Sequence, residues 1–342
     1  MSVAKRKGAR RPSMVDVAKH AGVSHQSVSR VLNAPETVHP DTRERIERSM
    51  AALGYRRNSQ ARALKTQSTG LIGVVSQGDT DFGPTRMTWA IENAARQRGY
   101  ATALSVVRDQ RAETVDSTLE FFLSHGIEGI VVITPVPALA EAAKQLSARV
   151  PLVLVTSGLW PAGNMNVAGI DQELGARRAT THLIERGHRR IAHIAGPMDW
   201  FDARGRVVGW RQALAVADLS APPMIRAAGW TAEAGYEAAQ ELFRGAPLPD
   251  AIFASNDFIA LGLIRALAER GIRVPGDISV VGFDDVDAAG YFSPPLTTVR
   301  QPFEEAGRAA LELLLDLTDG LTHVPNFISP ELIERGSTAF RR

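Results

Sequence analysis

The sequence predicts an α/β protein in two parts, a small helical module followed by a larger body of doubly wound parallel sheets. Three observations carry this. At 342 residues the chain is too long for one small domain. Beyond residue 70, six short apolar runs rich in β-branched residues alternate with amphipathic stretches of helical period, the pattern of buried parallel strands joined by crossover helices. The charge is also lopsided: residues 1–65 carry a net +9 and the remainder a net −7. A compact basic module joined to a mildly acidic body is the footprint of a nucleic-acid reader with a second domain attached. With no cysteine, disulfides, thiolate metal sites and a cysteine nucleophile are excluded. No apolar run is long enough for a membrane span, and MSVAKRKGARRPS has no apolar segment after its charges, so a cytoplasmic protein is expected.

Residues 1–12 read as a disordered basic arm, with Lys5, Arg6, Lys7, Arg10 and Arg11. Ser13, with Asp16 three positions on, has the form of a capping box opening a short helix. Gly22 permits the turn that ends it, and Ser24 is placed to cap a second helix running through Leu32. Val17, Ala18, Ala21, Val23, Val28, Val31 and Leu32 fall on the apolar faces, which leaves His25, Gln26, Ser29 and Arg30 outward. Glutamine can bond adenine edges, arginine can grip guanine with two bonds, and serines reach phosphates, as a helix lying in the major groove requires. A third helix is expected from Asp41 to about Leu53, ended by Gly54.

In the body the expected strands are Leu71–Val75, Ile130–Ile133, Leu152–Val155, Ile191–Ile194, Ala251–Ala254 and Ile278–Val281, with helices such as Met87–Arg98 and Glu233–Phe243 between them. More strands than one ordinary sheet needs imply two lobes, and a cleft between lobes is where a ligand would sit.

The chain resembles the lactose-repressor (LacI) family. In the first module the likeness is carried by Val15-Asp16-Val17-Ala18, Ala21-Gly22-Val23-Ser24, Val28-Ser29-Arg30-Val31-Leu32-Asn33, Thr42-Arg43-Glu44-Arg45 and Leu53-Gly54-Tyr55. In the body it is carried by Gly187-His188-Arg189-Arg190-Ile191-Ala192, Ser255-Asn256-Asp257, the run Asp277–Asp285, and Pro294-Pro295-Leu296-Thr297-Thr298-Val299. The resemblance implies a helix-turn-helix headpiece over 13–55, a hinge helix or linker over 56–69, and an effector-binding and dimerisation domain of type I periplasmic-binding-protein fold over 70–342. Its first lobe would comprise about 70–169 and 302–329, its second about 170–301 and 330–342. The DNA-contacting set it implies is Ser24, His25, Gln26, Ser27, Ser29, Arg30, Asn33, Tyr55, Asn58, Ala61 and Leu64, with Leu64 wedged into a minor-groove step. Three residues depart from the family pattern: His39 replaces a serine cap, Arg57 a proline, and Thr156, after Leu152–Val155, an aspartate found in some sugar-binding relatives.

The expected effector site is Phe82, Thr156, Trp200, Phe201, Arg206, Trp230, Asn256, Asp284 and Gln301. Asp284 and Asp285 follow a strand end, where open α/β sheets place ligands. Asp284 is assigned to the ligand and Asp285 to structure, because adjacent side chains diverge. Asn256 suits a helix cap, a ligand contact or both. Trp200 or Phe201 can stack on a sugar ring, and the family's effector-contacting arginine falls on Arg206, with Arg204 a second cation for an anionic ligand. Phe82 is read as lying in a loop over Gly78–Pro84, and Gln301 where the chain crosses lobes.

The expected function is a sequence-specific transcription regulator, a repressor of pseudopalindromic operator DNA controlled by a small-molecule effector, a sugar by preference. A corepressor-activated regulator binding a purine is the alternative. A periplasmic-type transport protein is disfavoured by the headpiece. No cofactor or metal is expected, and no catalytic motif such as a phosphate loop or nucleophile elbow is present, so the chain is not expected to be an enzyme. Only Ser337–Arg342 follow Glu331–Gly336, too few residues for heptads, so a homodimer is expected.

Overall fold

Helix capping organises residues 13–54 of the computed structural model, which describes residues 12–56, 68–77, 81–107, 112–147, 149–157, 165–244, 247–321 and 326–341. The chain divides into two units, Met1–Thr69 and Gly70–Arg342. In the first, Ser13 caps α1 (Met14–Ala21) by a complete capping box in which Asp16 reaches back to the Ser13 backbone N–H at 2.7 Å. Gly22, at φ 64°, takes the left-handed conformation that lets the chain reverse, and Ser24 caps α2 (His25–Asn33) by accepting from the Ser27 N–H. The next helix, α3 (Pro40–Leu53), starts one residue before the expected Asp41. Proline is tolerated at that first position because its missing N–H would have no partner there. His39 makes no side-chain cap bond, as its departure from a serine cap implies. Val17, Val28 and Ile46, one from each helix, are fully buried and form the centre of this unit.

The second unit holds two parallel sheets. Its first lobe comprises β1 (Leu71–Gln77), α4 (Phe82–Gln97), β2 (Ala101–Val107), α5 (Ala112–Ser124), β3 (Gly129–Ile133), α6 (Pro137–Leu146), β4 (Leu152–Val155) and β5 (Asn166–Ile170). Returning from the far end of the chain, β11 (Asn326–Ile328) completes a sheet of order β11-β5-β4-β3-β1-β2. The second lobe runs α7 (Gln172–Glu185), β6 (Ile191–Ala195), α8 (Phe201–Val216), β7 (Ile225–Arg226), α9 (Ala232–Leu242), β8 (Ala251–Ala254), α10 (Asp257–Glu269) and β9 (Ser279–Val281), with sheet order β7-β6-β8-β9. Then β10 (Thr298–Arg300) leads to α11 (Phe303–Thr318), and β12 (Glu331–Ile333) pairs antiparallel with β10. The chain therefore passes between the lobes three times, after Ile170, after Arg300 and after Ile328.

All six expected runs are strands. The unanticipated ones are the edge strand β2, whose side chains are largely exposed, β5, and the short strands β7, β10, β11 and β12, too short for a periodic signal. One reading needs correction: Phe82 is not in a loop but is the first residue of α4. Gly83 and Pro84 resemble loop breakers, yet they occupy the first helical turn, where no backbone N–H has an intrahelical partner to lose.

Trp210 is fully buried, its indole N–H donating to the Ile191 carbonyl at 3.1 Å. Helices α9 and α10 approach so closely that a Cβ on Gly262 would lie 1.8 Å from the Ala232 carbonyl oxygen. Backbone, unlike a side-chain tip, cannot swing aside. Gly262→Ala should therefore destabilise the second unit by about 1–3 kcal/mol or more. All five tryptophans lie beyond Thr69, so urea unfolding followed by tryptophan fluorescence reports this unit; an unchanged midpoint would contradict the packing.

Candidate functional site

Helix α2 presents two kinds of polar residue. Ser24 and Ser27 hydroxyls bond each other at 2.9 Å, and the Asn33 amide donates to the Ser29 carbonyl at 2.7 Å, so these groups stabilise the helix itself. His25, Gln26 and Arg30 are exposed, and their side chains make no intramolecular hydrogen bond among the described residues. Their donors and acceptors are available to a partner. Tyr55 is half buried against the headpiece core. Asn58, Ala61 and Leu64 lie outside the described residues.

Between the lobes of the second unit lies a cleft of about 680 Å³, its open mouth included, lined by eight of the nine expected effector residues. The ninth, Phe201, is placed elsewhere. It is buried with the first-lobe core residues Val136 and Leu139, and its backbone N–H donates to the Pro135 carbonyl at 2.7 Å. Its large apolar ring has more to gain there than at a polar cleft wall. Trp200, one residue earlier, does line the cleft and meets Trp230 edge to face at 5.3 Å. The Trp230 ring can lie against the chain after β6 because residue 196 is glycine, where a Cβ would sit 2.4 Å from the indole. Asn256 caps α10 through its Oδ1, which accepts from Ile259 at 2.8 Å, and its amide donates to the Trp230 carbonyl.

Four buried side chains at the cleft floor form a closed ring of hydrogen bonds. Arg206 Nε donates to Gln172 at 2.9 Å, Gln172 Nε2 donates to Gln301 at 2.8 Å, and Gln301 Nε2 donates to Asp284 Oδ1 at 2.7 Å. Asp284 closes the ring to Arg206 at 3.5 Å. Arg206 also donates to the Ser255 carbonyl at 2.6 Å, and its guanidinium lies 3.9 Å from the Phe283 ring centroid. Gln172 was not anticipated. Nothing in its local pattern distinguishes it from any polar residue at a helix start; only its place at the first lobe crossing brings it here.

Asp284 and Asp285 both have positive φ, 110° and 52°, a region costly for any residue with a Cβ. Surrounding bonds hold them there. The Asp284 N–H donates to Val299 at 2.8 Å, and Asp285 is gripped by Arg300 at 2.7 Å and Arg335 at 2.6 Å, both from crossover segments. Burial pushes the Asp284 carboxyl up to about 6 against the opposing pull of Arg206 and Gln301. Burial also raises Asp202, a cleft residue missed by sequence reading. Arg204 does not reach the cleft lining. Its Nε donates to the Met198 carbonyl at 2.6 Å, so it is not the second cation that an anionic ligand would need.

A three-helix reader module with an uncommitted polar face, joined to a two-lobed body with a polar cleft, defines a DNA-binding regulator that senses a small molecule. Comparison with known proteins agrees. Residues 13–58 match the lacI family of bacterial regulatory proteins, and residues 180–338 match the periplasmic binding protein-like domain. The Lactose operon repressor of Escherichia coli K12 is 34% identical over 95% of this chain and 90% of its own length. The crystal structure of the lac repressor dimer bound to operator and the anti-inducer ONPF superposes with a TM-score of 0.85 at 31% identity, covering 96% of this chain and 100% of that one. A CelR–cellobiose complex gives 0.70 at 31% identity, with coverage of 96% and 100%. The chain belongs to the lacI family of transcriptional regulators. Among the described residues, no helix is long and apolar enough to cross a membrane.

A carboxyl whose pKa is higher folded than unfolded favours the native state when protonated, so its contribution improves as pH falls from 7 towards 4. For Asp284, raised from 3.8 to about 6, the effect is on the order of 3 kcal/mol. The histidines 182, 188 and 193, whose pKa values burial lowers, act in the opposite direction. The informative quantity is therefore the difference between wild type and Asp284→Asn. Urea unfolding at pH 7 and pH 5 should show wild type gaining stability relative to the variant at the lower pH; parallel profiles would contradict a buried, titrating Asp284.

Proposed function

We propose that this protein is a homodimeric cytoplasmic repressor that reads a pseudopalindromic operator with α2, and whose interlobe cleft binds a sugar that changes lobe closure and releases the DNA. The single observation that carries this reading is the pairing, in one chain, of an uncommitted reader face (His25, Gln26, Arg30) with a cleft whose polar floor and aromatic walls suit a polyol. Gln26 and Arg30 read base edges, while Ser24, Ser27, Ser29 and Asn33 order the helix and approach phosphates. The segment 56–69 folds as a hinge on the operator, with Asn58 and Ala61 in the minor groove and Leu64 as the wedge. Tyr55 braces the end of the headpiece beside it.

In the cleft, Trp200 stacks on the sugar ring and Trp230 supports it. Phe82 and Thr156 close the site from the first lobe, and Arg206, Asp284, Asn256 and Gln301 hold the hydroxyls. The protein acts by binding and performs no catalysis: Asp284 is pinned by Gln301 and Arg206 instead of being poised beside a nucleophile. Relatives support the assembly and the ligand, since the lac repressor structure is a dimer bound to operator and the CelR structure a complex with cellobiose. On this chain, exposed Leu104 and Val106 on the edge strand β2 suit burial against a second copy.

Operator sites selected from a random DNA pool give the test. Gln26→Ala and Arg30→Ala should each weaken the selected operator by about tenfold to a hundredfold, with far less effect on random DNA. Equal losses on both would make these residues phosphate contacts. For the cleft, Trp200→Ala should weaken the releasing sugar about tenfold or more in a fluorescence titration of operator release. Wild-type sensitivity would remove Trp200 from the site.

A further inference from the structure

The cleft contains one carboxylate that its own ring of bonds does not satisfy. Asp202 stands one helical turn before Arg206 on α8, at the i, i+4 spacing that makes side chains neighbours. Every nitrogen of Arg206 is nevertheless engaged elsewhere, with Gln172, the Ser255 carbonyl and Asp284. The Asp202 carboxylate has no hydrogen bond or ion pair within the described residues, and Arg206 acts on it only through longer-range attraction. Its cleft neighbours do not balance it. Among the described residues, the charged groups lining the cavity are Asp81 just before α4, Asp202 and Arg206 from α8, and Asp284 from the loop after β9. Asp81 has interactions of its own, so the balance at the floor is Asp202 and Asp284 against Arg206. Arg204, the nearest further cation in sequence, is bonded to Met198 outside the lining.

Two other features point to a ligand in the same space. The Thr156 hydroxyl is buried and without a partner, the residue 6% exposed, on the first-lobe wall. Trp200 and Trp230 line the cavity, and aromatic faces attract cations; the Trp230 ring already has the Arg206 guanidinium 5.4 Å from its centroid, which leaves Trp200 as the aromatic face for a ligand. An anionic ligand would add charge to an already negative cavity. A neutral sugar would close over a carboxylate whose one attracting charge, Arg206, is already paired with Asp284, which a low-dielectric site penalises.

Building on the sugar-binding reading of the cleft, we propose that the effector is an amino sugar, a polyhydroxylated amine whose ammonium group pairs with Asp202 while its hydroxyls engage Asp284, Asn256 and Thr156. The ammonium donates to Asp202 and supplies the direct ion pair that Arg206, bonded to Asp284, does not make with it. Burial raises the Asp202 pKa, and pairing with an ammonium offsets that preference for the neutral form.

Matched sugars that differ only at nitrogen test this on the full chain: the glucosamine disaccharide chitobiose, its N,N′-diacetyl form, and cellobiose, together with glucosamine and galactosamine against glucose and galactose. Calorimetric titration at pH 7 and operator release should both favour an amine over its hydroxyl counterpart by about tenfold or more. Acetylation, which removes the charge from the ligand and leaves the protein unaltered, should abolish the preference, and Asp202→Asn should reduce it to within about twofold. A neutral sugar that binds as tightly as its amine, or a preference that survives Asp202→Asn, overturns the amine assignment and leaves the sugar-binding reading intact. No response to any member of the panel overturns both.

Discussion

A guanidinium can remain inside a protein only where its charge is answered and its N–H groups are bonded, and the interior of the second unit is arranged around meeting that demand at Arg206. The residue is 3% exposed. Its counter-charge comes from the loop after β9, its neutral acceptors from the end of β8 and the start of α7, and Gln301 at the second lobe crossing completes the circuit through Asp284. Each member satisfies a group that would otherwise be a buried orphan, so none can be removed alone without stranding another. The ring also joins two of the three lobe crossings directly. At the third, Arg178 donates to the Pro330 carbonyl, and Arg335 reaches from the strand beyond to Asp285. The cleft floor and the interlobe connection are thus the same set of bonds.

The unusual backbone after β9 follows from this arrangement. Two successive aspartates with positive φ would not persist in an unconstrained loop. Here Asp257, buried at the start of α10, accepts from the Val286 N–H at 2.8 Å and from the Thr298 hydroxyl, tying the loop to β10. The twist sends Asp284 inward to Gln301 and Arg206 and Asp285 outward to Arg300 and Arg335. Adjacent acids acquire opposite duties through backbone geometry, which is why one can serve a ligand while the other serves the scaffold.

Sequence reading reaches the headpiece almost completely, because its determinants are local. A capping box, a left-handed glycine and a serine cap act within four residues of themselves, and the apolar spacing that buries Val17, Val28 and Ile46 is visible in one turn of helix. In the body, continuous β-branched runs identify the central strands, whereas the edge strand β2 and the short strands β7, β10, β11 and β12 exist only through their partners. The cleft is legible where residue type and position after a strand coincide, as at Asp284 and Asn256. It is not legible where long-range packing decides. Gln172 joins the ring across 129 residues of chain from Gln301, and Asp202 acquires meaning only from the bonding of its neighbour Arg206. Phe201 was misplaced for the same reason: adjacent aromatics look equivalent in sequence, and tertiary contact sends one to the cleft and the other to the opposite lobe's core.

That last placement gives α8 a mixed allegiance. The helix belongs to the second lobe and carries Arg206, yet its first residue is seated in the hydrophobic interior of the first. Any rotation of one lobe against the other must either drag the start of α8 or withdraw Phe201 from its seat, so a small molecule held by this helix necessarily senses the angle between lobes. Linkage makes the sensing mutual: whatever macromolecular partner prefers one angle must alter the small molecule's affinity by the same factor that the small molecule alters the partner's. A single buried phenyl ring would thereby make any small molecule held in this cleft a gauge of conformation.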